Sequence, residues 1–419
     1  MKATTAYSRS GSTSNAASTA AAARSARSYT KPEAPLKVDR PLKILLLGDA
    51  SNFHRTLSTG LRRLGHDVTV ASEGGRWMKT ERDIDTSRPP LPGKLGGLAL
   101  WLRLQAGLKR RFTGYDVVSI HSPGFLSLKP QRITSIYDYL LTRNRGVFHS
   151  MLGTTPSYVR ECISASTSLP YNEFRINGRP SPYSLGHPGI EQEWMSPALT
   201  ALEDRINATI LGSVTALYEY DLTQHTVLPQ SHISYGGIPI DTTEITPVDL
   251  PDRIDRVRIF LGRHKGRLLE KGTDILEAAA RDVVERHPSK AELVIVENRP
   301  YAEYLSLLRS AHIVLDQLYS YSPATNALLA MAMGLNTVSG GDEAFYSFIG
   351  EKEMRPVLHV EPDFEDTRRV LENAVLSPHL IRERGKEGRR FVEKHNDCEV
   401  VARRNVDYWI RRLGEEGRL

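Results

Sequence analysis

The sequence predicts an α/β protein in which two parallel-sheet domains face each other across a cleft. Strand and helix patterns alternate through residues 41–245 and again through residues 246–395, as in sheets whose strands are connected by helices. A stretch rich in Pro and Asp, residues 247–252, separates the two series and is typical of a linker. With 419 residues the chain can hold two hydrophobic cores, and no apolar run reaches the ~20 residues that span a bilayer.

The first 40 residues differ in composition from the rest, and we predict a disordered tail over residues 1–40. They carry seven Lys or Arg against two Asp or Glu, a net of +5 out of the chain's +6. Such a Ser- and Ala-rich segment buries too little apolar surface to offset its ordering entropy. A basic leader also resembles a transit peptide, and that alternative stays open. The remaining body is nearly neutral, which argues against a nucleic-acid partner.

The two cysteines, Cys162 and Cys398, lie far apart and match no metal-binding or redox spacing. We therefore expect free thiols in a reducing compartment. The predicted location is the cytoplasm, with the inner face of the membrane as an alternative.

The first domain begins with the apolar run 44–47, which predicts a buried parallel strand. Asn52 is predicted to cap a helix that ends at Gly65, before a strand at 67–71. Further elements of this domain are predicted as strands at 116–120, 146–148, 208–211 and 232–235, and as a helix at 134–142.

The second domain repeats the alternation. Its strands are predicted at 258–261, 292–296, 312–315, 337–338 and 357–360, and its helices at 273–286, 301–311 and 325–333. An amphipathic helix at 400–413 closes the chain within residues 396–419. It fits either domain, and we expect it to pack back on the first.

Two strand-to-helix junctions of the second domain predict an anion site. Arg263 follows a strand, and Lys271 precedes the next helix, which is where parallel sheets bind anions. Downstream, the amides at the start of the helix after Ala324, with the Ser322 and Thr325 hydroxyls, would hold phosphate oxygens. The alternatives are a solvated loop for the cations and a conventional polar cap for the helix.

The motifs at these junctions resemble those of the retaining glycosyltransferases with the GT-B fold, which pairs two Rossmann-like domains. The resemblance rests on Gly-Arg at 262–263, Lys-Gly at 271–272 and Ala-Met-Ala-Met-Gly at 330–334. In the first domain, residues 116–121 resemble the family's strand that ends in His, and residues 147–150 resemble its strand with a functional His. Residues 235–241 resemble the family's Asn-Gly-Ile-Asp segment.

The resemblance implies transfer of a sugar from a UDP- or GDP-sugar, with retention, to a glycan or lipid-linked saccharide. Arg263 and Lys271 would bind the diphosphate, assisted by the backbone around Ala324, Thr325 and Asn326. His149 would contact the donor sugar. The family usually works without a bound metal or other cofactor, and the Asp-Ile-Asp at 83–85 is interpreted as a chance match to a metal motif.

One departure from the family concerns two glutamates on the helix that ends at Gly334. Alignment places Tyr321 and Leu329 at these positions. Leucine cannot accept hydrogen bonds from a ribose. Glu297, Asp316 and Glu343 are candidate substitutes, and a non-catalytic sugar-nucleotide- or glycan-binding protein is an alternative function. A sugar-nucleotide epimerase would need a carboxylate-rich centre, which residues 321–329 lack.

Other candidates on the first domain are Asn52, His54 and His121, which would lie on the acceptor side of the cleft; a structural role for these histidines is the alternative. Residues 94–111 are both apolar and basic. They fit either a core helix or a peripheral contact with an anionic membrane.

Overall fold

The computed structural model describes residues 40–75, 80–121, 123–263 and 265–419. The predicted tail therefore lies outside the described residues, apart from Arg40. Within the described part, no helix is both long enough and apolar enough to cross a bilayer.

The first domain is built on a sheet of seven described strands, all parallel, in the order β3-β2-β1-β4-β5-β6-β7. Its strands are β1 (Lys43–Leu47), β2 (Asp67–Ser72), β3 (Ile84–Asp85), β4 (Val117–His121), β5 (Gly146–Met151), β6 (Gly212–Thr215) and β7 (Ile233–Tyr235). Its helices are α1 (Phe53–Arg63), α2 (Lys94–Ala106), α3 (Pro130–Arg143), α4 (Pro156–Cys162), α5 (Pro182–Gly186), α6 (Ile190–Trp194), α7 (Pro197–Asn207) and α8 (Tyr218–Gln224).

The second domain has a sheet of five described strands, also parallel, in the order β9-β8-β10-β11-β12. Its strands are β8 (Val257–Arg263), β9 (Ala291–Glu297), β10 (Ile313–Leu315), β11 (Asn336–Ser339) and β12 (Val357–His359). The helices that follow are α9 (Thr273–Arg286), α10 (Tyr301–Leu308), α11 (Thr325–Ala332), α12 (Glu343–Phe348), α13 (Phe364–Leu376), α14 (Ile381–His395) and α15 (Cys398–Glu415). The α/β class with two parallel sheets is confirmed.

One predicted strand was wrong. Residues 208–211 form the turn that follows helix α7, where the Ala208 amide donates to the Asp204 carbonyl and the Ile210 amide to the Ile206 carbonyl. The strand β6 starts immediately afterwards. Residues 152–207, for which no element was predicted, contain α4 to α7 and a small antiparallel ribbon formed by Arg175–Ile176 and Arg179–Pro180.

The start of helix α1 also corrects an expectation. Asn52 precedes the helix in a left-handed conformation (φ 64°), and its side chain makes no capping hydrogen bond. Asp49 caps the helix instead, since its carboxylate accepts from the amides of His54 (2.9 Å) and Arg55 (3.3 Å). Burial raises the pKa of Asp49 to about 6.

The last helix, α15, packs on the first domain. Its Trp409 ring is fully buried, 6.2 Å from the ring of Phe148 in β5. Where α15 crosses α1, a Cβ added to Gly60 would lie 3.0 Å from the Ala402 Cβ and would clash with the Cys398 carbonyl. The two helix backbones are therefore in direct contact.

Helix α14 contacts the end of the first domain just before the linker. The Arg389 guanidinium donates to the carbonyls of Thr242, Ile245 and Ala332, each at 2.7 Å. These bonds connect α14 both to the segment before the linker and to α11. The Arg389 side chain therefore helps to fix the relative position of the two domains.

We predict that Gly60→Ala destabilises the protein by about 2 kcal/mol or more, because the added methyl group has no space between α1 and α15. Denaturant unfolding followed by circular dichroism measures this change. Gly153→Ala is the control, since a Cβ there meets no atom within 4 Å. Equal stability of the two variants would show that α1 and α15 are not in contact.

Candidate functional site

The cleft between the two sheets has a volume of about 510 Å³. The first domain lines it with residues that follow its strands or begin its helices: Ala50, Ser51, Phe53, Leu152, Ala216, Leu217, Tyr220 and Ile238. The second domain contributes Gly262, Arg263, Arg267, Lys271, Thr273, Val296, Asn298, Arg299, Tyr301, Tyr304, Asp316, Gln317, Ala324, Thr325, Asn326 and Leu329. The carboxyl ends of both sheets therefore meet at one site.

Four helices begin at this cleft, because the first residues of α1, α9, α10 and α11 all line it: Phe53, Thr273, Tyr301 and Thr325. In the described structure, α9, α10 and α11 begin without a side-chain cap. Amides at a helix start point outward and carry the positive end of the helix dipole. Their convergence favours an anion in the cleft.

Lys271 and Arg263 both lie in the cleft, but they differ in how far their charges are neutralised. The Arg263 guanidinium pairs with Glu277 (2.8 Å) and Glu297 (2.7 Å). The Lys271 ammonium is 3.9 Å from the buried carboxylate of Asp316. Since 3.9 Å exceeds hydrogen-bond distance, Lys271 is the better placed of the two to bind a phosphate.

The backbone around Lys271 is fixed by its neighbours. Gly272 adopts a left-handed conformation (φ 66°), and a Cβ there would lie 2.9 Å from the Leu318 Cβ. The Leu318 amide donates to the Lys271 carbonyl (3.0 Å). The turn before α9 therefore holds Lys271 beside the segment that follows β10, and only glycine fits at position 272 without strain.

The second predicted anion loop is only partly in the cleft. Ala324, Thr325 and Asn326 line it. Ser322 does not: it is 1 % exposed, and its hydroxyl donates to the Glu219 carboxylate across the domain boundary (2.7 Å). Ser322 thus forms an interdomain contact, and its predicted phosphate contact stays a prediction.

Several residues that line the cleft were not predicted from the sequence. Arg267 pairs with Glu270, and Arg299 lies 3.3 Å from Glu303. The Tyr304 hydroxyl donates to the Asn326 side-chain oxygen (2.7 Å). The rule that functional residues follow the strands of a parallel sheet would have pointed to Arg299, which comes two residues after β9.

In the structure, Tyr321 and Leu329 occupy the positions where the family has two glutamates. Tyr321 stacks on Tyr171 with ring centroids 4.3 Å apart, and its hydroxyl bonds to the amide (3.0 Å) and the carbonyl (2.8 Å) of Tyr171. The pair of Tyr321 and Tyr171 is therefore a contact between the two domains. Leu329 lines the cleft, and so supplies an apolar wall where a carboxylate was expected.

Of the three candidate substitutes, Asp316 alone lines the cleft among the described residues. Glu297 pairs with Arg263 beside it. Glu343 was a wrong candidate: it pairs with Arg355, and its side chain is 73 % exposed away from the cleft lining.

The three candidate histidines cluster in the first domain without lining the cleft. The His54 ring bonds to the Ser150 hydroxyl (3.1 Å) and stands 6.4 Å from the ring of His121. His149 is 3 % exposed, and its Nδ1 lies 3.4 Å from the Ser213 hydroxyl. Burial lowers the pKa of His54 and His149 to about 3 and that of His121 to about 4, so all three are neutral at physiological pH.

Asn52 is likewise absent from the lining, although its neighbours Ser51 and Phe53 belong to it. The predicted roles of Asn52, His54 and His121 toward an acceptor, and of His149 toward the donor sugar, stay predictions. In the structure, the rings of His54 and His149 contact the hydroxyls of Ser150 in β5 and Ser213 in β6.

The Asp-Ile-Asp segment lies in a separate depression beside β2 and β3. Asp83 accepts from the Arg62 guanidinium (2.8 Å) and the Val70 amide (2.8 Å), and Asp85 pairs with Arg82 (3.2 Å). Within the described residues, no three His, Cys, Asp or Glu side chains converge as ligands for a metal ion.

Comparisons with known proteins agree with this geometry at the level of the fold. No protein-family model matches the sequence, and no curated protein is similar to it in sequence. Among solved structures, sucrose-phosphate synthase from Thermosynechococcus elongatus superposes with a TM-score of 0.57 at 14 % identity, covering 87 % of this chain and 96 % of that one.

Two further structures are similar. The catalytic domain of starch synthase IV from Arabidopsis thaliana, bound to ADP and acarbose, gives a TM-score of 0.56 at 9 % identity and covers 90 % of this chain and 100 % of its own. Anabaena HepE in complex with UDP-glucose gives 0.54 at 10 % identity, covering 86 % and 97 %. The chain therefore has the GT-B fold of nucleotide-sugar-dependent glycosyltransferases: two Rossmann-like domains around a cleft.

The contact between Ser322 and Glu219 is sensitive to pH. Glu219 is 3 % exposed, and burial raises its pKa to about 7 from 4.5. The folded protein therefore holds this proton more tightly than the unfolded chain does. The contribution of this group to the free energy of unfolding is fully present below about pH 4.5, where both states bind the proton, and is lost as the pH rises through about 7.

We predict that Glu219→Gln removes part of this pH dependence, because glutamine still accepts from Ser322 but does not ionise. The variant should exceed the wild type in free energy of unfolding by roughly 2 kcal/mol at about pH 8 and match it at about pH 4.5. Urea unfolding at both pH values measures the difference, with the exposed Glu353→Gln as control. A difference independent of pH would contradict the assignment.

Proposed function

We propose that this chain is a glycosyltransferase that transfers a sugar from a UDP- or GDP-sugar to a glycan or lipid-linked saccharide, with retention of configuration. The observation that carries the proposal is the lining of the cleft. Lys271 and three arginines, Arg263, Arg267 and Arg299, line the cleft, and Asp316 is the one carboxylate among the described lining residues. The arginines also pair with glutamates outside that lining, so Lys271 is the least neutralised of the four cations. The helix starts described above add to the positive potential.

A donor diphosphate fits this site because the Lys271 ammonium and the helix starts without a side-chain cap can bind its oxygens. The diphosphate would lie between Lys271 and the amides around Thr325, and the nucleoside would extend toward Tyr301 and Tyr304. Aromatic side chains offer flat apolar surfaces to a base. Two of the similar structures, HepE with UDP-glucose and starch synthase IV with ADP, point to the same class of donor.

The reaction uses these groups to stabilise the leaving group. As the bond between the sugar C1 and the β-phosphate oxygen breaks, negative charge develops on that oxygen. Lys271 and the fixed helix dipoles stabilise the charge without reorganisation. The same phosphate oxygen takes the proton of the acceptor hydroxyl, whose oxygen bonds to C1 from the face that the diphosphate leaves. Configuration is therefore retained, and the cations take the role that a metal has in other transferases.

A non-catalytic sugar-nucleotide-binding protein is the second candidate. Tyr321 favours it, since the hydroxyl that stands in place of a family carboxylate is already bound to the backbone of Tyr171. Such a protein would bind donors without turning them over. Donor hydrolysis therefore separates the two candidates.

We predict that Lys271→Met weakens UDP binding by about 30-fold or more, because a charge-assisted contact to the diphosphate is lost. Calorimetry with UDP, GDP and their glucose conjugates, in buffer with EDTA, measures binding, and release of nucleoside diphosphate measures hydrolysis. The wild type should hydrolyse at least one donor slowly, and the variant should not.

Lys290→Met is the matched control, because Lys290 is exposed and precedes β9 at the opposite edge of the sheet. It should bind and hydrolyse donors like the wild type. Binding without hydrolysis would favour the non-catalytic candidate. A wild type that binds none of these nucleotides, or that needs a divalent cation, would contradict the proposal.

A further inference from the structure

Helix α2 presents leucines to solvent. Leu95 is 54 % exposed, Leu98 40 % and Leu102 58 %, and Leu91, just before the helix, is 48 % exposed. Spacings of three and four residues place Leu95, Leu98 and Leu102 on one side of the helix. We call these three residues the leucine face.

The opposite side of the same helix is packed into the first domain. Leu100 and Leu104 are fully buried, in one apolar cluster with Ile120 and Phe125. Gly96 also faces inward, where a Cβ would lie 2.9 Å from the Pro89 carbonyl. The helix is therefore anchored in the fold, and its leucine face is held outward rather than folded back on the core.

The segment that carries this face is basic throughout. Residues 86–115 contain six Lys or Arg and no Asp or Glu. Two of the cations, Lys94 and Arg103, are exposed and flank the leucine face, and Arg110 is exposed beyond the end of the helix. An exposed apolar strip flanked by cations is complementary to a surface whose outer layer is anionic and whose interior is apolar.

We propose that the leucine face, with its flanking cations, binds the surface of an anionic lipid bilayer. The leucines enter the acyl boundary, and the cations contact the lipid phosphates. A second copy of the chain fits less well, because each copy would bring the exposed Lys94, Arg103 and Arg110 to the contact, and residues 86–115 contain no acid to pair with them. The segment 1–40 is also basic, with a net charge of +5, and so does not complement this surface.

The apolar cluster that anchors α2 in the first domain includes Ile120 and Phe125. The proposal goes beyond the proposed function, since bilayer binding does not depend on nucleotide binding.

Sedimentation with vesicles tests the proposal on the full-length protein. The vesicles are phosphatidylcholine alone or phosphatidylcholine with about one-third phosphatidylglycerol. We expect the wild type to sediment with the anionic vesicles, less so at high salt, and to stay in solution with the neutral ones. The double variant Leu95→Asn/Leu102→Asn should partition about tenfold more weakly.

Matched controls separate this surface from unspecific effects. Leu185→Asn/Leu376→Asn removes two exposed leucines elsewhere, 69 % and 43 % exposed, and should bind vesicles like the wild type. Lys94→Gln/Arg110→Gln should weaken binding to anionic vesicles only. All variants should keep the thermal unfolding midpoint and UDP binding of the wild type, so that loss of vesicle binding is distinct from loss of the donor site.

Three results would overturn the proposal. The first is a wild type that does not bind anionic vesicles. The second is an equal loss of binding in the Leu185/Leu376 control. The third is a concentration-dependent dimer in gel filtration that Leu95→Asn/Leu102→Asn abolishes, which would assign the leucine face to a second copy of the chain.

Discussion

The structure depends on one short loop of the second domain, residues 319–324. This loop is bound to the first domain by stacking and hydrogen bonds. Tyr321 stacks on Tyr171, and its hydroxyl forms two hydrogen bonds with the Tyr171 backbone. The Ser322 hydroxyl donates to the buried Glu219 carboxylate. Helix α11 begins immediately after this loop. The contacts between domains therefore also set where the helix amides at Thr325 point, so that the geometry of the cleft and its electrostatics have a common origin.

The charge distribution of the cleft follows from this arrangement. The helix starts and four cations converge there, and the three arginines are paired with glutamates outside the cleft lining, as Arg263 is with Glu277 and Glu297. Lys271 is the exception, because its nearest carboxylate, Asp316, is 3.9 Å away. The chain lacks both glutamates of the family it resembles. Tyr321, at the first position, forms a contact between the domains, and Leu329, at the second, is an apolar residue of the cleft lining.

The parallel sheets were predictable because apolar runs and helix periodicity are local signals, and helix α9 was predicted at its observed bounds. The cations Arg263 and Lys271 were predictable because strand ends of a parallel sheet share one edge. The roles of Ser322 and Tyr321 were not, since both depend on contacts with residues more than 100 positions away in the chain. Segment 152–207 was missed because three of its four helices have seven residues or fewer and three start at a proline, so that periodicity is weak.

The position of a bound nucleoside diphosphate tests the account most directly. A crystal structure with UDP should place the diphosphate in hydrogen-bond contact with the Lys271 ammonium and with backbone amides at the start of α11. The base should lie on the side of Tyr301 and Tyr304. A diphosphate bound elsewhere, such as in the depression lined by Arg62 and Arg82, would contradict the claim that the loop 319–324 and its helix build the donor site.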